Sequence, residues 1–380
     1  MRSRQRITWI TPDYFLNVDA KVVPHLAHYY PIDWVLIRTP GMERTSDGLL
    51  SHAIRPREFN LEYRQRDPRI LSQYFNLLSS VRRKGYDLLY TSFEGLPYFF
   101  PLLSAMIDCE KVIYGVHNVH TPKGAANELS MRMYQRYAFR AMKRFHVFSR
   151  YQLRVIEELL PTKQHYYAPF APDDYGTSTA CPPNDRIRFT SFGYIREYKR
   201  LDLLISAFKT LYDEGLRNIE LVIAGRCDDW GPYEAMINNH PRIHTRIGIV
   251  PNKEIPDLIS SSHYIVLPYQ DGCQSGVLPL AYRYHKPVIT SDIDSFRDAV
   301  VEGSTGFQFR NLSQVSLCQV MRDVVLKHNN AYTGLTRNVD NYVASEYSEV
   351  DILAKYRTFI DDTLQAAAHR NHSLRHALPF

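Results

Sequence analysis

The chain has 380 residues, which is too long for one typical hydrophobic core, so two or more domains are expected. A hydrophobic fraction of 44% and a charged fraction of 23% are ordinary for a globular protein. The five cysteines are dispersed without metal-site spacing, which argues against a zinc site and for reduced thiols in the cytosol.

The net charge of +6 is concentrated in the first half. Residues 1–175 contain 24 Lys and Arg against 17 Asp and Glu, a net +7. Arg132, Arg136 and Arg140 recur there at helical spacing on one side. Two interpretations stay open, a solvated helix face and a surface that docks on an anionic membrane. Nucleic-acid binding is not expected, because no recognised motif accompanies the patch.

The N-terminal sequence MRSRQRITWITPDYF has no long apolar core and no cleavage site, so no signal peptide is predicted. The longest apolar stretch, residues 95–107, is too short and too interrupted by proline to span a bilayer. We expect a cytoplasmic protein that attaches peripherally to the inner face of the membrane if the basic face is a docking surface.

The first half alternates strand and helix patterns. Strands are predicted at 6–12, 33–39, 86–93, 111–118 and 144–149. Helices are predicted at 20–29, 69–83, 97–107, 125–143 and 150–160. Such alternation predicts parallel strands with helices on both faces of the sheet.

Residues 171–186, APDDYGTSTACPPNDR, are rich in turn formers and predict an interdomain linker. The alternation then restarts, with strands predicted at 188–193, 219–225, 243–250, 264–269 and 287–291. Later helices are predicted at 313–327 and 347–367, followed by a loose tail from residue 369.

The predicted fold class is α/β, with two Rossmann-like doubly wound domains whose strand ends face a cleft. The expected domains are 1–175 and 176–345, with 346–380 as a C-terminal helix and tail that cross back to the first domain.

Glycines and cations mark three strand ends in the second domain. They are Gly193 with Arg196 and Lys199, then Gly225 with Arg226, and the loop Gly272, Gln274, Ser275 and Gly276. Each alone fits an ordinary turn. Together they suit a diphosphate, because exposed amides and cations bind anions. No carboxylate cluster that could hold a metal accompanies them.

The order of these motifs resembles that of one enzyme family. Gly193 is followed six residues later by Lys199 and then by the helix LDLLISAF. Further along come GIVPNKEIPDLISSS, IVLP, PVITS and VVEGSTG, in this order. Residues 190–310 thereby resemble the donor-binding domain of the family-4 retaining glycosyltransferases, which have the GT-B fold.

The resemblance implies a nucleotide-sugar donor, which we expect to be a UDP-sugar rather than a GDP-sugar. Lys199 and a nearby arginine would neutralise the leaving diphosphate, which gains charge in the transition state. It implies no metal and no other cofactor, and Asp292 and Asp294 are read as an accidental DxD. The implied donor-binding residues are Gly193, Arg196, Lys199, Gly225, Arg226, Gln274, Ser275 and Gly276.

Two departures from the family pattern affect the expected donor site. Tyr194 stands where the family has an arginine, so Arg196 is expected to take that role. The family's paired glutamates, the second of which grips the donor ribose, fall at Gly272 and Leu280. Gln274 and Ser275 are candidates to substitute by hydrogen bonding.

In the first domain, His117 ends a predicted strand, and the resemblance favours contact with the transferred sugar over a structural role. His120 is a second candidate. Glu94 is a candidate base for the acceptor hydroxyl, although the donor phosphate can accept that proton instead. Asn17 and Asp19 are candidate acceptor-binding residues, with helix capping as the other use of Asp19.

These features predict a hexosyltransferase that moves a sugar from a nucleotide-sugar donor to a glycan or lipid-linked acceptor in cell-surface polysaccharide biosynthesis. Two alternatives stay open. A nucleotide-sugar 2-epimerase is half matched by QSGV at 274–277. A non-catalytic nucleotide-sugar-binding protein would account for the missing glutamates.

Overall fold

The computed structural model describes residues 5–41, 54–120, 128–272 and 275–376. It divides into two compact units, one of Met1–Ala171 with Glu349–Phe380 and one of Pro172–Ser348. These bounds differ by a few residues from the expected ones, and the C-terminal helix belongs to the first unit.

The first unit contains a sheet of seven parallel strands in the order β3-β2-β1-β4-β5-β6-β7. The strands are β1 (Ile7–Pro12), β2 (Ile32–Arg38), β3 (Arg57–Asn60), β4 (Leu88–Thr91), β5 (Val112–Val116), β6 (Arg144–Val147) and β7 (Gln164–Tyr167). The order reverses between β1 and β4, the kind of switch point where open α/β sheets bind ligands.

The helices of this unit that precede the second unit are α1 (Leu16–Asp19), α2 (Val23–Leu26), α3 (Ile70–Lys84), α4 (Phe99–Met106), α5 (Glu128–Ala141) and α6 (Arg150–Leu159). The single helix predicted at 20–29 was wrong. A turn at residues 20–22 separates α1 from α2, and Pro24 near the start of α2 lacks the amide hydrogen that a continuous helix would use.

The two edge strands β3 and β7 were not predicted. Their sequences, REFN and QHYY, are polar, and none of their residues is buried. Such short strands have a weak pattern of their own, so their position is set by pairing with β2 and β6.

The second unit contains six parallel strands in the order β10-β9-β8-β11-β12-β13. They are β8 (Ile187–Phe192), β9 (Ile219–Gly225), β10 (Ile243–Ile247), β11 (Tyr264–Leu267), β12 (Val288–Ser291) and β13 (Gly306–Phe309). Its helices are α7 (Leu201–Asp213), α8 (Gly231–Ile237), α9 (Ile255–Ser260), α10 (Val277–Arg283), α11 (Asp294–Arg297) and α12 (Gln314–Glu346). The switch point lies between β8 and β11.

The long helix α12 continues well beyond the predicted end at residue 327. Leu335 and Val339 are buried in the later part of the helix. Packing therefore maintains this helix where the sequence pattern is weak.

A last helix, α13 (Glu349–His376), packs in the core of the first unit. Its residues Ile352, Tyr356 and Phe359 are buried in one cluster with Ile7 and Trp9 of β1. The predicted loose tail was wrong for residues 369–376, which are helical, and its last four residues lie outside the described residues.

Candidate functional site

Two glycines bring the ends of β8 and β9 into backbone contact. Gly193 and Gly225 have φ angles of 108° and 139°, in the left-handed region that favours glycine. The Gly193 amide donates to the Ala224 carbonyl at 3.0 Å. A Cβ on Gly225 would lie 2.0 Å from the Gly193 oxygen, and one on Gly193 would lie 3.4 Å from Lys199 Nζ. The absence of a side chain at Gly225 therefore permits the close approach of the two backbones, and the Lys199 ammonium lies beside Gly193.

Lys199 is half-buried in the wall of a cavity of about 270 Å³ in the second unit. The cavity is lined by Asp173, Tyr175, Phe192, Tyr198, Lys199, Tyr269, Ser275, Gly276, Val277 and Leu280. The ammonium lies 5.1 Å from the centroid of the Tyr269 ring. Burial lowers the pKa of Lys199, and the charge of Arg196 lowers it further.

No carboxylate among the described residues pairs with the Lys199 ammonium at ion-pair distance. A partly desolvated cation without a counter-ion favours an anionic ligand, because the ligand supplies the missing charge in a site that is already partly shielded from water.

The structure does not bring Arg196 and Arg226 into this cavity. Both instead surround Tyr194 and Asp228 at the surface. Asp228 lies 3.8 Å from Arg196 and 3.5 Å from Arg226, and it accepts a hydrogen bond from the Tyr194 phenol. The Arg196 guanidinium lies 3.9 Å from the Tyr194 ring centroid. Arg196 therefore does not line the cavity with Lys199 in the described structure, and its part in a diphosphate site stays a prediction.

A carboxylate already lies at the N-terminus of α7. Arg200, in a left-handed conformation with φ 50°, pairs with Asp202 at 2.7 Å. The Asp202 carboxylate, in the first turn of α7, therefore interacts with the positive end of the helix dipole.

The small-residue loop contributes Ser275 and Gly276 to the cavity, and Gln274 lies outside the described residues. The Ser275 hydroxyl accepts a hydrogen bond from the Val277 amide at 3.3 Å, at the start of α10. Leu280 lines the same cavity with a buried side chain. An apolar surface therefore occupies the position where the family pattern has a glutamate.

In the first unit, Glu94 follows β4 and lines a separate cavity of about 40 Å³. Tyr114, Asn118 and His120 line it as well. Burial raises the pKa of Glu94 to about 7, against a hydrogen bond from Tyr114 that lowers it. A carboxyl group with this pKa can donate or accept a proton near neutrality.

His117 does not line the Glu94 cavity in the described structure and instead packs among aromatic rings. Its imidazole stacks on Phe15 with centroids 4.2 Å apart, and Tyr14 meets it edge-on at 5.6 Å. Burial lowers the pKa of His117 to about 4, so the ring is neutral at pH 7. A neutral imidazole can hydrogen-bond to a sugar hydroxyl but carries no charge to a phosphate.

Asp19 is fully buried, which contradicts both expected roles. Its carboxylate accepts hydrogen bonds from Trp9 Nε1 at 3.0 Å and from Thr11 Oγ1 at 2.6 Å. Asp19 ends α1, so it does not cap the start of a helix, and its side chain has no surface to offer an acceptor. Burial raises its pKa to about 7. Asn17 is half-buried on the same short helix.

Sequence reasoning missed most of the aromatic wall of the Lys199 cavity. Tyr269 is the last residue of the strand predicted at 264–269, and that position at a strand end was an available signal. Asp173 and Tyr175 had no such signal, since they lie in the segment predicted to be a linker.

Within the described residues no group of His, Cys, Asp and Glu is arranged to hold a metal ion. In the same part of the chain, no helix has the length and apolar character needed to cross a membrane.

Residues 186–325 match the family model described as glycosyl transferases group 1. No curated protein matches the chain significantly in sequence. Solved structures of low sequence identity share the fold.

Sucrose-phosphate synthase from Thermosynechococcus elongatus has a TM-score of 0.74 at 14% identity, over 96% of this chain and 100% of that chain. Anabaena HepE in complex with UDP and glucose has a TM-score of 0.72 at 12% identity, over 94% and 100%. WaaG, a glycosyltransferase involved in lipopolysaccharide biosynthesis, has a TM-score of 0.66 at 13% identity, over 93% and 99%.

The two parallel α/β sheets and these structural neighbours confirm the predicted GT-B fold class. The family match covers the predicted donor motifs, including the Lys199 turn and the small-residue loop. Residues 186–325 therefore match the glycosyl transferases group 1 family, and the chain as a whole has the GT-B fold.

Proposed function

We propose that this enzyme transfers a sugar from a nucleotide-sugar donor to a glycan or lipid-linked acceptor, with retention of configuration and without a metal ion. A UDP-sugar is the expected donor, and cell-surface polysaccharide biosynthesis is the expected setting. The observation that carries the proposal is the Lys199 ammonium, half-buried in a cavity and without a carboxylate partner among the described residues.

The structural neighbours support this choice of substrate. HepE was solved with UDP, with UDP and glucose, and with UDP-glucose, and WaaG acts in lipopolysaccharide biosynthesis. In the present chain the cavity combines a cation with aromatic rings, which suits a ligand that has both a diphosphate and a planar base.

The chemistry proposed for Lys199 is electrostatic. When the bond from the sugar to the diphosphate breaks, negative charge develops on the departing oxygen. A fixed ammonium nearby stabilises that charge more than it stabilises the intact donor. Asp292 and Asp294, the DxD letters, pair with Arg297 at 3.3 and 3.1 Å, which favours a structural role for them and supports the proposal of a metal-independent reaction.

In the first unit, we assign Glu94 the role of a base for the acceptor hydroxyl and His117 a contact with the transferred sugar. The raised pKa of Glu94 and its place in a cavity support the first role. The neutral imidazole of His117 supports the second, because sugar hydroxyls are recognised by hydrogen bonds rather than by charge.

Ligand-dependent stability tests the proposal directly. We expect one of UDP, GDP and ADP to stabilise the protein by about 3 kcal/mol when present at 100 times its dissociation constant. The stabilisation should persist in EDTA. The corresponding nucleotide sugar, incubated with a glycan acceptor, should release that diphosphate with formation of a glycoside.

Each alternative predicts a different outcome of the same assay. A 2-epimerase would form an epimer without an acceptor, and a non-catalytic binder would be stabilised by the ligand without turnover. No stabilisation by any nucleoside diphosphate would contradict the proposal.

A membrane-docking surface is also proposed for α5. Its arginine row, Arg132, Arg136 and Arg140, is exposed. The structure places an apolar row beside it, formed by Leu129, Met133 and Tyr137, which are 74%, 65% and 41% exposed. Tyr134 and Ala138 face the core and fix which side of the helix is outward. Cations beside exposed apolar side chains suit the interface of an anionic membrane.

Replacing the three arginines of this row with glutamine should weaken binding to phosphatidylglycerol vesicles about 100-fold at low salt, since each arginine near an anionic surface contributes about 1 kcal/mol. Vesicle sedimentation measures the effect, and phosphatidylcholine vesicles give the background. The control removes equal charge from exposed residues of the second unit, Arg217, Lys253 and Arg310. Equal losses in both triple variants would show that net charge alone binds the membrane.

A further inference from the structure

The Lys199 cavity contains a single carboxylate among its described lining residues, that of Asp173. The other polar groups there are the Lys199 ammonium, the Ser275 hydroxyl and the phenols of tyrosines. A nucleoside diphosphate has three parts with different needs, namely an anionic diphosphate, a planar base and a ribose with vicinal hydroxyl groups. The ammonium and the aromatic rings suit the first two, and a carboxylate suits the third because it accepts hydrogen bonds from two hydroxyls.

The backbone around Asp173 is fastened to the end of α10. The Tyr284 phenol accepts a hydrogen bond from the Tyr175 amide at 3.2 Å and donates one to the Gly176 carbonyl at 3.0 Å. Asp174 pairs with Arg283, the last residue of α10, at 2.6 Å. These contacts hold residues 173–176 against the helix that follows Ser275 and Gly276, so Asp173 is positioned by the same element that forms another part of the cavity wall.

The rest of that helix offers the ribose no acceptor. Leu280 lies one turn before Tyr284, and its buried aliphatic side chain lines the cavity. A sugar hydroxyl placed against leucine without another partner would lose hydrogen bonds to water. The Asp173 carboxylate accepts a hydrogen bond from the Tyr175 phenol. An ionised carboxylate has about four acceptor positions, so one carboxylate can accept hydrogen bonds from several donors at once.

We infer that Asp173 binds the ribose hydroxyls of the donor nucleotide and thereby selects ribonucleotides over deoxyribonucleotides. The inference rests on the proposed function, because it requires that a nucleoside diphosphate occupies the Lys199 cavity. Asp173 is a binding residue in this assignment, and it takes no part in bond cleavage.

Calorimetric binding of ribose and deoxyribose ligands to the full chain tests the inference. The ligands are UDP, GDP and ADP with their 2′-deoxy and 3′-deoxy analogues, and the proteins are wild type, Asp173→Asn and the control Asp213→Asn. For the nucleotide that binds best, at least one deoxy analogue should bind wild type about 10- to 100-fold more weakly, as expected for a lost hydrogen bond to a charged group. Asp173→Asn should bind the ribose form more weakly by a similar factor, and the difference in affinity between the ribose form and that analogue should largely vanish. Asp213→Asn removes an exposed carboxylate of the same unit that does not line the cavity, and it should keep the wild-type preference.

The outcomes separate failure of the inference from failure of the proposed function. If no nucleoside diphosphate binds wild type, both are overturned. If binding occurs and Lys199→Met weakens it about 100-fold, but wild type does not distinguish ribose from either deoxy form, the inference is overturned and the proposed function stands. This wild-type comparison needs no variant, so it decides the matter even if Asp173→Asn folds poorly. An unchanged preference in a folded Asp173→Asn protein would also overturn it.

Discussion

Replacing Lys199 with methionine should weaken nucleoside diphosphate binding about 100-fold and lower kcat/KM for donor transfer by about 100- to 1,000-fold, the usual cost of removing a fixed charge that faces a developing anion. The same substitution should leave the free energy of unfolding unchanged or raise it. In the folded protein the ammonium is half-buried, and burial lowers its pKa, so the ligand-free protein bears a desolvation cost that methionine avoids.

Calorimetry and urea unfolding of the same preparations measure the two effects. Lys253→Met is the matched control, because Lys253 is exposed in the same unit and does not line the cavity. It should change neither quantity appreciably. If Lys199→Met were to lose stability and binding together, Lys199 would have a structural role, and the anion-site interpretation of the cavity would fail.

The largest effect on stability is expected for Gly225→Ala. A Cβ at this position would lie 2.0 Å from the Gly193 carbonyl oxygen and 2.7 Å from its carbonyl carbon. Backbone atoms cannot rotate away, so the turn that follows β8 must shift. We expect the free energy of unfolding to fall by ~3 kcal/mol or more, since a steric clash adds to the strain of alanine at φ 139°.

Gly248→Ala isolates the clash from the strain. Gly248 has φ 134°, nearly the value at Gly225, but a Cβ there would meet nothing within 4 Å. Its substitution should therefore cost only the conformational strain, about 1–2 kcal/mol. Chemical denaturation of both variants gives the comparison. Equal losses at the two glycines would show that the close approach of Gly193 and Gly225 does not contribute to stability.

The Lys199 turn could be predicted because its signals are local. A strand pattern, a glycine, a lysine six residues later and an apolar stripe all lie within residues 188–212. The stripe is buried as its spacing required, at Leu204, Ile205, Phe208 and Leu211 among others. Hydrophobic periodicity and turn-forming residues are local features of the chain, so they can be identified from the sequence alone.

The partners of individual side chains could not be predicted in the same way. Arg196 was expected beside Lys199, but Asp228 and Tyr194 hold it at the surface. Asp19 was a candidate acceptor-binding residue, but its carboxylate is buried and accepts hydrogen bonds from Trp9 and Thr11 of β1. In each case the environment of the side chain depends on contacts with other residues and on a rotamer that packing selects.

By itself, the sequence determined the alternation of most strands and helices, the two-sheet α/β class and the turn that contains Gly193 and Lys199. Only the tertiary structure decided that Lys199 has no carboxylate partner among the described residues and that Asp173, not Arg196, lines the cavity with it. Asp173 lies in a stretch typical of a linker, and Tyr284, more than a hundred residues later, fastens that stretch to α10. Local periodicity specifies which elements form, whereas burial and charge pairing depend on residues that are distant in the chain and become neighbours only when it folds.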